Sequence, residues 1–250
     1  MLIVLLYLWI ENMMKDCYIK IFADGADYKS ILNFNKKTFV KGLTTNPSLM
    51  KKSGVTDYTK FAKKVLKKVK VKPISFEVFA DDINGMYRQA KIISTWGKNV
   101  YVKIPVTNSK GVGCYDLIKK LSNEKVKLNI TAIFTTNQVK KVINSLNRDT
   151  KSIISIFAGR IADTGINPDL LIVQSLKFLK AKKNKKCEIL WTSTREIYSI
   201  IQAKKLGCHI ITVPNNILSK INLIGKNLNK YSLETIKDFY KDAISAGYKI

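Results

Sequence analysis

A chain of 250 residues with 46% apolar and 25% charged side chains can build one large core, and α/β barrels reach this length undivided. The formal charge of +26 suggests nucleic acid, yet of the 44 basic residues only Arg88, Arg148, Arg160 and Arg195 carry the guanidinium fork that phosphate and base readers favour. Cys17, Cys114, Cys187 and Cys208 are far apart and form no Cys-x-x-Cys pair, which argues against a zinc ribbon or disulfide scaffold and fits a reducing, cytoplasmic compartment.

The lysines run along helical stretches, as in Lys60, Lys63, Lys64, Lys67 and Lys68, and are not interleaved with exposed aromatics. They read as a solvated surface whose field attracts phosphorylated small molecules without specificity. Neither nucleic acid nor a membrane is an expected partner. Met1 to Ile10 is apolar and uncharged but too short to span a bilayer. No basic segment precedes it and no small-residue cleavage site follows, so no signal peptide is read there. Met13 and Met14 stand just ahead of the first convincing strand, and translation is expected to start there. Residues 1–16 are then an extension, disordered or artefactual. Residues 17–250 are expected to form a single barrel domain with a C-terminal helix over 232–246.

From this point strands alternate with helical patterns. Tyr18–Ala23 and Thr38–Leu43 are extended runs, the second followed by the turn Thr44-Thr45-Asn46-Pro47-Ser48. Phe61, Ala62, Val65, Leu66 and Val69 mark a helix over Asp57–Val69. Ile74–Phe79 is a strand, and Asp82–Ile93 a helix with Ile83, Met86, Tyr87, Ala90 and Ile93 inward. In the strand that ends at Pro105, Val100, Val102 and Ile104 share one face, and Tyr101 and Lys103 the other. A helix through Cys114, Leu117, Ile118 and Leu121 follows, then a strand over Val126–Ile133 and a helix through Val139, Val142, Ile143 and Leu146. Ser152–Phe157 is a strand. Asn167-Pro168 opens a helix filled by Leu170, Leu171, Val173, Leu176 and Leu179. Glu188–Trp191 is a strand, and Thr194 caps a helix that runs to Lys205 and ends at Gly207. His209–Val213 is a strand ending at Pro214, Asn216 caps a short helix, and Ser232–Ala246 is amphipathic. Eight βα units imply an α/β fold, a closed (β/α)8 TIM barrel, with an open doubly wound sheet as the alternative.

A barrel carries its site at the carboxyl ends of its strands. The polar residues there are Asp24, Asn46, Glu77, Lys103, Asn129 with Thr131, Ser155 with Arg160 beyond it, Ser193 with Arg195, and Thr212. Each has a plain alternative: a turn former before Gly25, a turn residue before Pro47, or small residues that fit a barrel. The one histidine, His209, reads as structural. Glu77 alternates with Phe76 and Val78, which would pack on helices, so its carboxylate should face inward and need a partner. A lysine at the end of an apolar strand is partly stripped of water, which disfavours its charged form, and a neutral amine attacks carbonyls. It can form an imine with a ketone, an electron sink for cleaving the adjacent carbon–carbon bond. Asp24 and Glu77 are the available acids and bases. Arg160 and Arg195, placed beside strands 6 and 7 at helix starts, read as a phosphate clamp.

The segments Gly42-Leu43-Thr44-Thr45-Asn46-Pro47-Ser48, Val102-Lys103-Ile104-Pro105, Asn129-Ile130-Thr131, Ile154 to Ile161 and Ser193-Thr194-Arg195 resemble the transaldolase family, over roughly Ile19 to Pro214. The resemblance implies a (β/α)8 barrel that uses no metal or organic cofactor. It implies transfer of a dihydroxyacetone unit between sugar phosphates. Lys103 matches the Schiff-base lysine, Asp24 the acid/base at the C4 hydroxyl, and Glu77 with Thr131 the pair that activates water. Asn46, Asn129 and Ser155 match groups that bind the dihydroxyacetone part; Arg160, Ser193 and Arg195 match the phosphate site. A sister branch, the fructose-6-phosphate aldolases, carries Gln at Glu77 and Tyr at Phe157, so these two residues favour transaldolase. Gly25, Ile156 and Thr194 depart from the family pattern. Small members often form homo-oligomeric rings, which makes Ser232–Ala246 the candidate contact.

Overall fold

Runs of β-branched and aromatic residues, broken by capping residues, set the elements of this chain. The computed structural model describes residues 19–250, so the expectations for residues 1–16, for a start at Met13 or Met14 and for Tyr18 lie outside the described residues. The strands are β1 Lys20–Asp24, β2 Val40–Thr44, β3 Ile74–Glu77, β4 Val100–Pro105, β5 Leu128–Ile133, β6 Ser152–Ile156, β7 Cys187–Trp191 and β8 Ile210–Pro214. Each pairs in parallel with the next, and β8 pairs with β1, so the sheet closes without an edge. This is the (β/α)8 barrel, and the open-sheet alternative falls.

The connecting helices are α1 Tyr28–Lys36, α2 Pro47–Lys52, α3 Tyr58–Leu66, α4 Ile83–Ser94, α5 Tyr115–Asn123, α6 Thr136–Ser145, α7 Ala158–Ala162, α8 Asp169–Ala181, α9 Tyr198–Lys205, α10 Asn215–Leu218 and α11 Leu228–Ala246. Side-chain caps start several of them. Asp57 accepts from the Lys60 backbone N–H, Asp82 from Gly85, and Thr135 and Gln138 form a reciprocal capping box.

Strand alternation divides the apolar residues into two sets. Ile21, Val40, Phe76, Val102, Ile104 and Ile130 face outward into the core between barrel and helices. Phe22, Tyr101, Ile153, Leu190 and Ile210 form a separate apolar cluster inside the barrel. Gly42 makes room for it, since a Cβ there would stand 2.5 Å from the Phe22 ring. The next inward positions towards the carboxyl ends are polar: Asp24, Thr44, Glu77, Lys103, Asn129, Ser155 and Thr212.

Several local expectations need correction. Helices α1, α2 and α7 lie where the sequence reading placed no helix; Asp27 caps α1 by accepting from Ser30, and Asn46 caps α2 by accepting from Leu49. β3 stops at Glu77, and Phe79 is exposed. In α8 the buried residues are Ile172, Ser175 and Leu179, while Leu170 is exposed. That helix is apolar nearly all round, so periodicity could not select its inner face. Thr194 caps nothing: its hydroxyl donates to the Thr212 carbonyl at 2.8 Å, and α9 starts only at Tyr198. Asn216 is already inside α10, which follows Pro214 without a side-chain cap. The last helix starts earlier than read, capped by Asn227, and closes on Gly247 at φ 69°. None of its residues is buried, and Leu233, Ile236, Phe239, Tyr240 and Ile244 are exposed. No helix of the described residues is long and apolar enough to cross a membrane.

The Phe22 ring fills the barrel from within, so Phe22→Ala is expected to cost about 3–5 kcal/mol in urea unfolding. The polar end should keep its arrangement. A loss inside experimental error would show that this cluster does not hold the barrel.

Candidate active site

Register brings the site together. Pairing of β3 with β4 sets Glu77 beside Lys103, β4 with β5 sets Lys103 beside Asn129, and β1 with β2 sets Asp24 beside Thr44. All point inward because strand side chains alternate. Lys103 is 8% exposed. Its Nζ lies 3.1 Å from Glu77 Oε2 and donates to the Thr45 carbonyl at 3.2 Å. The inward Glu77 thus has the partner its burial demanded, and Phe76 packs outward on Tyr58 and Trp96 as alternation required.

Asp24 opens on the same space but is otherwise walled in by protein. Burial raises its carboxyl above the usual range; the Lys103 charge and the Thr44 hydroxyl, which donates to Oδ1 at 2.8 Å, oppose the rise, and Glu77 adds to it. Thr44 also hydrogen-bonds Thr212 of β8 across β1. On the far wall Ser155 donates to Asn129 Oδ1 at 2.7 Å, and Asn129 Nδ2 donates to Ser75 Oγ at 3.0 Å. Asn129 is therefore fixed at both ends of its amide.

Thr131 is 2% exposed, and its hydroxyl has no partner among the described residues. It sits at a bulge. The β5–β6 register shifts between Ile130 and Ile133, and Ala132 adopts φ 59°. The extra residue lets Ile130 and Ile133 both reach the outer core while Thr131 stays near the site.

Phe157, Arg160, Ser193 and Arg195 form one rim. Arg160 lies over the Phe157 ring, 5.3 Å from its centroid, and Phe157 packs on Phe134. Ser193 holds φ 64°, an uncommon and strained backbone for a serine. This bend carries its carbonyl against Gly159, where an added Cβ would stand 1.6 Å from the oxygen, so only glycine fits. Arg195 is not at a helix start, which corrects that expectation. Its Nε donates to both Asp163 oxygens at 3.0 Å, and its Nη2 pairs with Oδ2. The Asp163 carboxyl is held below the usual range, first by that bond and further by the charges of Arg195 and Arg160.

All eleven residues read from the sequence line one cavity of about 540 Å3 at the carboxyl ends of the strands: Asp24, Asn46, Glu77, Lys103, Asn129, Thr131, Ser155, Phe157, Arg160, Ser193 and Arg195. For Asn46 the plain alternative also holds, since its Oδ1 is committed to the α2 cap. A larger cavity, about 1020 Å3, lies at the opposite mouth among Lys20, Lys41, Lys151, Lys186 and His209. There Glu188 is occupied by Lys20, and His209 Nδ1 accepts from the Ile189 N–H, with burial lowering its basicity. Size therefore does not mark the site; the convergence of an amine with two carboxyls does. Among the described residues no three His, Cys, Asp or Glu gather as metal ligands. Sequence reading passed over Thr44, Ser75 and Tyr58. The first two repeat the period-two inward positions of β2 and β3; Tyr58 carries no such signal.

A closed barrel with a buried lysine between acids at its polar mouth belongs among the (β/α)8-barrel enzymes. Within that class, the chain belongs to the transaldolase/fructose-6-phosphate aldolase family, whose profile matches residues 21–250. It is 34% identical over 224 residues to a "Probable transaldolase" of Nitrosopumilus maritimus (strain SCM1), covering 89% of this chain and 96% of that one. It is also 34% identical over 233 residues to a "Probable transaldolase" of Thermoanaerobacter sp. (strain X514), covering 93% and 100%. A provisionally assigned lyase/mutase from Burkholderia cenocepacia J2315 shares the fold at TM-score 0.55 and 11% identity, over 92% of this chain and 84% of that one.

The raised Asp24 carboxyl has a consequence for stability. Between its ordinary value of 3.8 and its raised folded value, the folded chain binds more protons than the unfolded one. Stability from this group is therefore complete below 3.8 and declines as pH rises through that window. Asp24→Asn is expected to raise the melting temperature at neutral pH, with the gain vanishing in acid. A lower melting temperature at neutral pH would contradict the assignment of burial as the dominant cause.

Proposed function

We propose that this protein is a cytoplasmic transaldolase. It transfers a dihydroxyacetone unit from a ketose phosphate, sedoheptulose 7-phosphate or fructose 6-phosphate, to an aldose phosphate such as glyceraldehyde 3-phosphate or erythrose 4-phosphate. The observation that carries this reading is the buried Lys103 amine held 3.1 Å from Glu77 in a cavity that Asp24 shares.

In this reading Glu77 takes a proton from Nζ, and the freed amine attacks the C2 ketone of the donor. Water is lost from the resulting carbinolamine and a protonated imine forms. Asp24 removes the C4 hydroxyl proton. The C3–C4 bond breaks, its electron pair moves into the imine to give an enamine, and the shortened aldose phosphate leaves with a new carbonyl at the former C4. The acceptor aldehyde then takes the enamine carbon, Asp24 returns the proton, and water brought in by Glu77 and Thr131 hydrolyses the imine. The Thr131 hydroxyl, without a partner among the described residues, is suited to hold that water. Asn129 and Ser155, already bound to each other, present a fixed polar wall to the dihydroxyacetone hydroxyls, and Asn46 lines the same cavity. Arg160, Ser193 and Arg195 receive the phosphate. Asp163 fixes Arg195 in place, and the two guanidiniums exceed its charge.

The second reading is an aldolase that releases free dihydroxyacetone. Glu77 and Phe157 favour transfer, because the aldolase branch resembled by this chain has Gln and Tyr there. The exposed apolar residues of α11 support a homo-oligomer. Light scattering is expected to give a multiple of 28.4 kDa; a monomer at all concentrations would sink that part.

Borohydride with fructose 6-phosphate is expected to label Lys103, and Lys103→Ala should abolish both label and turnover. A coupled assay should show product only when erythrose 4-phosphate or another acceptor is added. Equal dihydroxyacetone release without acceptor would assign the aldolase reaction, and a label on another lysine would overturn the mechanism.

A further inference from the structure

In a parallel sheet the N–H and C=O of one residue face one neighbouring strand, and those of the next residue face the other. In β3 the Val78 N–H donates to the Lys103 carbonyl of β4 at 3.1 Å. Ser75 and Glu77 therefore serve the β2 side. The Pro73 carbonyl accepts from the Leu43 N–H at 2.8 Å, and the Ser75 carbonyl from the Thr45 N–H at 3.3 Å. The next rung would join the Glu77 N–H to the Thr45 carbonyl, and the one after would need an N–H from residue 47, which is a proline.

Neither rung forms. The Thr45 carbonyl accepts instead from Lys103 Nζ at 3.2 Å. Both backbone groups of Glu77 turn to one hydroxyl: the Glu77 N–H donates to Tyr58 Oη at 2.7 Å, and Tyr58 Oη donates to the Glu77 carbonyl at 2.8 Å. Tyr58 is well placed to hold this position. It is the first residue of α3, directly after the Asp57 cap, and its ring is wedged edge-on against Phe76 and Phe79 and tilted against Trp96. Burial keeps its hydroxyl protonated well above the ordinary range, so the bridge persists at any working pH.

We propose that Tyr58 is a positioning residue for Glu77. Its hydroxyl stands in for the missing β2 rung, which leaves the Thr45 carbonyl to the Lys103 amine and fixes the Glu77 carboxylate beside that amine. The proposal rests on the role given to Glu77 above. Without the hydroxyl, Glu77 N–H and Lys103 compete for the one Thr45 carbonyl, and the carboxylate loses its fixed backbone.

The test is the rate of borohydride trapping of fructose 6-phosphate at Lys103, normalised to folded protein, in wild type, Tyr58→Phe, Glu77→Gln and the double variant. Tyr58→Phe keeps the ring and is expected to slow trapping by about 10- to 100-fold with the donor KM unchanged. The double variant should be no slower than Glu77→Gln alone, because Tyr58 acts only through Glu77. A wild-type rate in Tyr58→Phe, or losses that multiply in the double variant, would overturn the proposal. If Tyr58→Phe does not fold, amide exchange in the wild type decides: slow exchange at Glu77 supports the bridge, and exchange at the rate of an open loop overturns it. Failure of wild type itself to trap sugar at Lys103 would instead remove the functional reading, and this proposal with it.

Discussion

The site depends on one contact: a lysine and a glutamate on adjacent strands, in register, inside a closed barrel. Glu77 and Lys103 are Cα partners in the β3–β4 pairing, and their side chains meet at 3.1 Å in a place that solvent scarcely reaches. A charge in such a place needs its partner. Removing one member leaves the other uncompensated at a cost of about 3–5 kcal/mol, so pair and register constrain each other. A slip of one residue in β3 would turn Glu77 outward and Phe76 inward.

Closure assigns different work to the two halves of the barrel interior. Towards the amino ends Phe22, Tyr101, Ile153, Leu190 and Ile210 fill the space with apolar side chains. Towards the carboxyl ends the same inward positions carry acids, amide, hydroxyls and the amine. Three backbone departures shape that polar end: the stop of β2 at Thr44 just before Asn46-Pro47, the Ala132 bulge in β5, and the left-handed Ser193 pressed on Gly159. Each costs regular pairing and each aims a polar group at the cavity. Unusual backbone is expected where geometry is set by chemistry rather than by stability alone. The opposite mouth has another character. Lys72 and Lys127 there are lowered in basicity by burial, with Lys41 and Lys151 adding like-charge repulsion.

Much of this was legible in the sequence because strand alternation is strict. Val100, Val102 and Ile104 set against Tyr101 and Lys103 fixed which face of β4 met the core, and Glu77 followed from Phe76 and Val78. Eight such runs, with polar residues at or just beyond their carboxyl ends, were enough to place ten of the eleven site residues on one rim; Phe157 came only from the family resemblance. Helix faces were less legible. The stretch Leu170 to Leu179 is apolar on every side, so its periodicity left Leu170 on the wrong face. Caps misled where a hydroxyl had a better partner, as Thr194 has in the Thr212 carbonyl. Arg195 looked like a free clamp because nothing in the local sequence announces Asp163, which reaches it from the C-terminal cap of α7. Tyr58 was invisible for a similar reason. Its work lies in the gap left by a strand that stops, and a pattern of side chains does not report an empty rung.

The central claim is that one buried amine on β4, served by acids on β1 and β3, captures the sugar. A crystal structure of the borohydride-reduced fructose 6-phosphate adduct tests it most directly. The adduct is expected to show a secondary amine on Lys103, Glu77 within hydrogen-bond reach of it, the hydroxyl of the cleaving carbon against Asp24, and the phosphate beside Arg160 and Arg195. An adduct on any other lysine, or one on Lys103 with Asp24 turned away from the sugar, would contradict it.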